Sequence, residues 1–313
     1  MPIRSVEFPS LGGSPLTAPA ETLPDLLTDP ELPADGVLSR KPLVPTLIYW
    51  GLHALCALVF MVGVSSADLW LLAATFWLRL FAITAGYHRY FAHRAFRTSR
   101  AFQLVLAVLG AAATQKGPLW WAGGHCRHHK YSDLPGDMHS PNDGFWHSHQ
   151  GWFLTTQWEE TELERIRDFA KFPELVWLNR WHFVPPLVLA GLCALIGGFS
   201  GVLWGYVVST VALWHATYSI NSLAHRWGTR RYPTEDTSRN NFVLALLTLG
   251  EGWHNNHHWY MSSARQGFRW WEVDITYYAL RALALVGVVW ELREPPAHLL
   301  RPTEATPPGS SPS

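Results

Sequence analysis

Three histidines in the stretch Gly250-Glu251-Gly252-Trp253-His254-Asn255-Asn256-His257-His258 stand at i, i+3 and i+4, a spacing that places side chains on one face of a helix. His125-Cys126-Arg127-His128-His129 has the same arrangement. His88 and His93 form a third group, and at ~100° per residue they fall ~140° apart on an α-helix, so they are expected to reach two different ions. His225, four residues after Asn221, makes a fourth. Neutral imidazole is the commonest metal ligand. A single interfacial histidine is more often a hydrogen-bonded surface group, but here His88, His93, His125, His128, His129, His225, His254, His257 and His258 make nine. An ion takes about four to six ligands of this kind, so nine imidazoles suit a dinuclear site.

Imidazole suits Zn, Cu, Fe and Ni. A zinc hydrolase needs only three protein ligands and an acid/base residue, and a haem protein leaves adjacent pairs such as His128-His129 without a use. Nine neutral ligands around two redox metals point to oxygen chemistry on iron.

The elements that position these groups follow from composition. The chain has 313 residues, no net charge and 15% charged residues, against about 25% in a typical soluble protein. Hydrophobic residues make up 48%, with 18 Trp. Such a balance describes a membrane protein, and the lack of a basic block excludes nucleic-acid binding. Cys56, Cys126 and Cys193 are far apart and form no disulfide or cysteine-metal framework.

Four apolar runs, about 46–66, 68–86, 183–204 and 205–224, each approach the ~20 residues that cross a bilayer. Short connections pair them, predicting four transmembrane helices in two hairpins. Residues 1–43 read as a disordered arm without the pattern of a signal peptide, 44–295 as the folded domain, and 296–313 as a Pro/Ser-rich disordered tail. Of 24 Lys and Arg, only Arg79 falls inside a run, so the arm, the 87–182 loop and the segment after 225 are expected on the cytoplasmic side. Arg79 either faces the bundle or marks an early exit from the bilayer. Ala101–Thr114 is too short to span and predicts an interfacial or re-entrant helix. Asn241–Leu249 and Tyr277–Trp290 are two further short segments. The fold class is all-α integral membrane, with a cytoplasmic helical cap carrying the histidine-rich dinuclear metal site.

With these residues placed, the sequence resembles the membrane fatty-acid desaturases of the stearoyl-CoA (acyl-CoA) Δ9 type, bacterial branch. The resemblance rests on His-Arg-Tyr-Phe-Ala-His (88–93), His-Cys-Arg-His-His (125–129), Asn-Ser-x-x-His (221–225) and the Gly-Glu-Gly-Trp-His-Asn-Asn-His-His stretch (250–258). Flanking Gly-Phe-Trp-His-Ser-His-Gln-Gly-Trp (144–152) and Ser-Ala-Arg-Gln-Gly-Phe-Arg-Trp-Trp-Glu (263–272) extend it. The second box departs from the family pattern, with Cys126 where an Arg is usual. The resemblance implies that the nine histidines hold two non-haem irons and that Asn221 reaches one of them through a water. It further implies O2 as co-substrate and a fatty acyl substrate, carried as a CoA thioester or a lipid. Electrons would come from ferredoxin or from cytochrome b5 with its reductase. The expected setting is the lipid bilayer, as a multi-pass protein of a bacterial inner membrane, with termini and active site cytoplasmic.

An acyl tunnel among the spans would set specificity; Phe76 is a candidate stop, with ordinary packing as its more expected role. His139, His147, His149 and His182 lie outside the boxes and read as supporting, headgroup or surface groups. His53 and His215 lie within spans, where interhelical hydrogen bonds are the expected role. A hydroxylase or ketolase on the same scaffold is the alternative. A metal transporter or sensor is disfavoured, because no carboxylate chain crosses the spans.

Overall fold

The computed structural model describes residues 42–301. Helix α1 (Leu43–Cys56) continues after a turn through Val59–Val62, and α2 (Ser66–Phe81) follows at once. Gly63, at φ +73°, ends the one, and Ser65 starts the other. Its hydroxyl accepts from Asp68 N at 3.2 Å, while Asp68 Oδ2 accepts from Ser65 N at 2.9 Å, a reciprocal cap. After α2 the chain winds on as a wider π-helix, Ala82–Ala92. Then come α3 (Arg100–Ala111), α4 (Pro118–Tyr131), α5 (Pro173–Arg180), α6 (Val184–Val202) and, beyond a second π-helical stretch at Leu203–Val208, α7 (Ser209–Ser222). Helices α8 (Phe242–Leu247), α9 (His254–Trp259) and α10 (Ile275–Leu285) complete the chain, with β1 (Arg97–Thr98) paired antiparallel to β2 (Val289–Trp290).

Three helical runs among the described residues are long and apolar enough to cross a membrane: Leu43–Val62, Ser66–Ala92 and Val184–His225. The sequence reading expects four. The third run has 42 residues and is broken at Gly197-Gly198, where Gly198 takes φ +59°. Beyond that point the chain lies against itself. A Cβ on Gly201 would stand 2.3 Å from Cys193 O, and one on Gly205 2.9 Å from Cys193 Sγ, so only glycine permits this approach. Only 6% of the most apolar window in the first run and 17% of that in the third are buried within the protein. Faces so apolar and so uncovered are those of a membrane-associated protein.

Arg79 faces the bundle. Its Nε donates to Thr75 O at 2.9 Å, Nη1 to Ala112 O at 3.2 Å and Thr210 Oγ1 at 2.7 Å, and Nη2 to Ser209 Oγ at 2.6 Å. It thereby receives the carbonyl end of α3, and the next carbonyl, Ala113 O, accepts from Trp214 Nε1. Arg79→Leu leaves these buried oxygens without donors. The expected cost is about 2–4 kcal/mol, read as a lower thermal midpoint in detergent with metal content unchanged.

Phe76 packs against the main apolar core, edge-on to Trp77. His53 and His215 do pair across helices, Nε2 to Nε2 at 2.9 Å, and His215 Nδ1 meets His149 Nε2 at 2.9 Å. Residues 1–41 of the arm and residues 302–313 lie outside the described residues, and the arm's last residue, Leu43, already begins α1. Part of the expected tail is docked instead: Trp259 Nε1 donates to Leu299 O at 3.0 Å and Tyr232 OH to Leu300 O at 3.3 Å.

Candidate metal centre

The π-helix at Ala82–Ala92 decides where the first box points. Its hydrogen bonds run from i to i+5, and His93 N donates to His88 O at 3.1 Å. Residues five apart are thus stacked rather than splayed by ~140° as on an α-helix. The rings of His88 and His93 lie 4.8 Å apart and converge on one point, which corrects the expectation that they serve separate ions.

The other two boxes each divide. His88, His93, His125, His129 and His257 bring one nitrogen apiece to a single cluster, and His128, His225, His254 and His258 to another, all within 4.8 Å in each. In α4 the pair His125/His129 goes to the first cluster and His128 to the second. In α9 the pair His254/His258 goes to the second and His257 to the first. An i, i+4 pair therefore shares a cluster while the i+3 residue crosses over, so the opening face of three serves both clusters.

In the first cluster Nε2 meets Nε2 at 3.0 Å (His88–His257), 2.9 Å (His93–His125), 3.0 Å (His125–His129) and 2.9 Å (His129–His257). In the second, His225 and His254 meet at 3.0 Å. Nitrogens bound at right angles to one metal at about 2.1 Å would stand ~3.0 Å apart. The opposite face of several rings fixes the tautomer. Nδ1–H of His128 donates to Asp137 at 2.9 Å and that of His258 to Asp236 at 2.6 Å. His225 Nδ1 lies 3.2 Å from Asp133, and His88 Nδ1 bonds Glu251. With Nδ1 carrying the proton, Nε2 presents its lone pair inward. Nε2 of His128 and of His258 are buried and have no hydrogen-bond partner, the arrangement a cation would satisfy. The residues fit two metal ions.

Electrostatics favours the ligating form. Burial first, and then the neighbouring imidazoles, hold His93, His125, His129, His254 and His257 well below the usual histidine range, keeping them neutral. His128 differs: burial lowers it, but Asp137 and two further carboxylates outweigh burial and raise it.

Glycines thread the third box into place. A Cβ on Gly252 would meet Ala245 N at 2.1 Å, and Gly250, at φ +121°, would press Asp274 Oδ1 at 2.4 Å. This lets Glu251 reach His88. Glu251 stands three residues before His254, the Glu-x-x-His spacing of soluble di-iron bundles, yet its carboxylate turns to His88 and Arg89.

Sequence reasoning missed these orienting carboxylates. Asp133 and Asp137 had a signal in their four-residue spacing after the second box, and Glu251 lay inside a motif; Asp236 had none. Cys126 lies away from the clusters, its Sγ 3.6 Å from Ala92 O and 3.8 Å from Arg94 Nη1. The His139 ring lies 4.2 Å from that of His128, tilted by 38°. Beside the clusters lies a small cavity of ≈50 Å³ lined by Leu80, Ile83, Thr84, Trp121, Thr217, Ile220, Asn221, Thr248 and Glu251, with His88, His125, His128 and His254 in its wall.

A helical protein with three runs long and apolar enough to cross a membrane and two converging histidine clusters able to hold metal ions defines a class. Residues 43–291 match the model for fatty acid desaturases, and the chain belongs to that family of oxidoreductases. It is 35% identical over 259 residues to the sn-1 stearoyl-lipid 9-desaturase of Anabaena variabilis, covering 80% of this chain and 93% of the relative. To the Delta-9 acyl-lipid desaturase 1 of Arabidopsis thaliana it is 38% identical over 216 residues, 68% of this chain and 71% of that one. To the hex-5-enoyl-[acyl-carrier protein] acetylenase of Moorena producens (strain JHB) it is 36% identical over 278 residues, 82% and 85% respectively.

Proposed function

We propose that the chain places a cis double bond, at Δ9, in a saturated fatty acyl group carried by a lipid or as a CoA thioester. The observation that carries this reading is the apolar cavity ending at two histidine clusters. The overall change balances as –CH2–CH2– plus O2, two electrons and two protons giving –CH=CH– and two waters. Two irons bound by the nine histidines would supply the activation of O2 that an unactivated alkyl C–H bond demands. His88, His93, His125, His129 and His257 would hold one, and His128, His225, His254 and His258 the other, with Asn221 reaching one of them through a water.

The chain's own part is placement. Leu80, Ile83 and Ile220 grip the alkyl chain and exclude water, and Trp121 closes the cavity beside His125. Electrons come from ferredoxin or from cytochrome b5 with its reductase. The long helices cross the membrane four times in two hairpins, the break at Gly197-Gly198 separating the third crossing from the fourth. The clusters, at the ends of α2 and α7, then lie on the cytoplasmic side of a bacterial inner membrane.

Expression in a host lacking this unsaturation tests the reading by fatty-acid chromatography with double-bond location. An O2-dependent cis-monoene is expected; a hydroxy or keto product, or none, would overturn it. Thr217 lies eight residues before His225, about 12 Å along the helix, and lines the cavity. Thr217→Trp should therefore fill the far end and shift the products to shorter chains by about two carbons or more, read in the same chromatogram.

A further inference from the structure

After β2 the chain laces together the segments that follow the first and third histidine boxes. Arg293 N donates to Ala95 O and Ala264 N to Arg293 O, both at 2.8 Å. Ala95 stands two residues after His93, and Ala264 six after His258. Pro295 is buried, and a short 3-10 turn, Ala297–Leu300, then reaches the end of α9. Three side chains hold that turn by its carbonyls. Trp259 Nε1 donates to Leu299 O and Arg269 Nη2 to Leu300 O, each at 3.0 Å, and Tyr232 OH to Leu300 O at 3.3 Å. The Tyr232 and Trp259 rings stack 5.2 Å apart and within 3° of parallel, so two of the three donors brace each other.

Helix α9 needs such a grip at its far end. It has six residues, fewer than two turns, and a helix so short does not hold itself. Its middle is fastened: Asn255 Oδ1 accepts from Arg231 N and Tyr232 N at 2.8 Å, and Asn256 Nδ2 donates to Gln266 O and Glu272 Oε2 at 2.9 Å. Trp259 is its last residue and carries the bond to the turn. Of the nine ligating histidines, His125, His129 and His258 are half-buried and the others buried. The His129 and His258 rings lie 4.5 Å apart, so the wall of the cage is thinnest beside the residue that precedes Trp259.

We propose that residues 295–300 are a strap that governs exchange of the bound metal. Fastened, it keeps the end of α9 wound and His258 turned into the four-histidine cluster; undone, it frees that end, and this cluster empties first. Trp259 is a positioning residue that acts through His258. The inference rests on the two-metal reading but not on the reaction. A hydrogen bond of this kind changes an equilibrium by about two- to twelve-fold. Losing all three should therefore speed release at least about ten-fold.

The test loads the full chain with ferrous iron in detergent, adds excess ferrozine and follows release by absorbance. A chain ending at Glu294 keeps β2 and both Arg293 bonds but lacks the strap. It should still take up two ions at saturating iron and release the first of them at least about ten-fold faster than wild type. In the metal-free proteins, hydrogen exchange over 254–260 should be faster in that chain and unchanged over α2 and α4. A chain ending at Arg301 should match wild type. Trp259→Phe keeps a ring on Tyr232 and loses one donor, so its release should quicken about two- to twelve-fold at an unchanged thermal midpoint. Arg269→Met should do the same, and Arg269→Lys, which still offers a donor to Leu300 O, should not. Should the shortened chain fail to fold, these single variants still decide. Release at the wild-type rate in Trp259→Phe and Arg269→Met, or faster exchange spread over the whole shortened chain, would overturn the proposal. Wild-type protein that holds no iron would overturn the metal reading with it.

Discussion

Alanine at His125 and His129 together is expected to strip one metal from the protein and leave the other, as is alanine at His254 and His258 together. The first pair supplies two nitrogens of the five-histidine cluster and the second two of the four-histidine cluster. Wild-type protein reconstituted with ferrous iron should hold about two ions per chain, and each i, i+4 double variant about one. H254A/H257A, which takes one ligand from each cluster, should weaken both ions and empty neither at saturating iron. Desaturation should fall more than about 100-fold in all three, beyond the loss typical for residues that only orient ligands. Elemental analysis with a protein assay reads the stoichiometry. If H125A/H129A and H254A/H257A give the same count, the division of each box between two ions is wrong.

That division marks where sequence reasoning stops. The nine imidazoles, the long apolar runs and the short apolar helix α3 are legible, because histidine spacing and apolar length act locally, although four runs are expected and three are found. The sharing of ligands is not. Two of its causes lie in the backbone: the π-helix at Ala82–Ala92, which brings His88 and His93 onto one ion, and the approach of α4 to α9, which sends His128 and His257 to opposite clusters. No pattern in His-Arg-Tyr-Phe-Ala-His announces an i to i+5 hydrogen bond. Arg79 illustrates the same limit in an apolar run. A charge there reads as an exit from the bilayer or a buried group, and only the carbonyl of Ala112 and the hydroxyls of Ser209 and Thr210 decide for burial. Asp236 lies twenty-two residues from His258 in sequence and meets it at 2.6 Å, a contact made by folding alone.

Arg89 is the residue whose loss should cost the fold most. It is fully buried at the end of the second run, with Nη2 2.9 Å from Glu251 and Nη1 2.9 Å from Asp274 and 2.6 Å from Ala264 O. Glu251 in turn takes Nδ1–H of His88, and Asp274 caps α10 through Tyr277 N at 3.0 Å. One guanidinium therefore ties the membrane run, the third histidine box and the last helix together. Arg89→Leu abandons two buried carboxylates, a loss of about 3–5 kcal/mol, and little folded protein is expected in the membrane. Arg89→Lys keeps the charge but not the fork that reaches both carboxylates, so it should fold, with metal bound about 10–100-fold more weakly. The pH dependence separates the two roles. Burial would raise the Glu251 carboxyl, but His88 and Arg89 outweigh it and hold it at about 2, below its ordinary 4.5. A lowered carboxyl contributes stability above its ordinary range and loses it as pH falls toward the folded value. In Arg89→Lys the restraint on Glu251 is weaker, so acid unfolding should begin at higher pH than in the wild type. In Glu251→Gln that titration is absent, and the acid limb between about pH 4.5 and 2 should flatten. Tryptophan fluorescence of the detergent-solubilised chain against pH follows all three, and coincident acid limbs in wild type and Glu251→Gln would show that this carboxylate does not link the box to the fold.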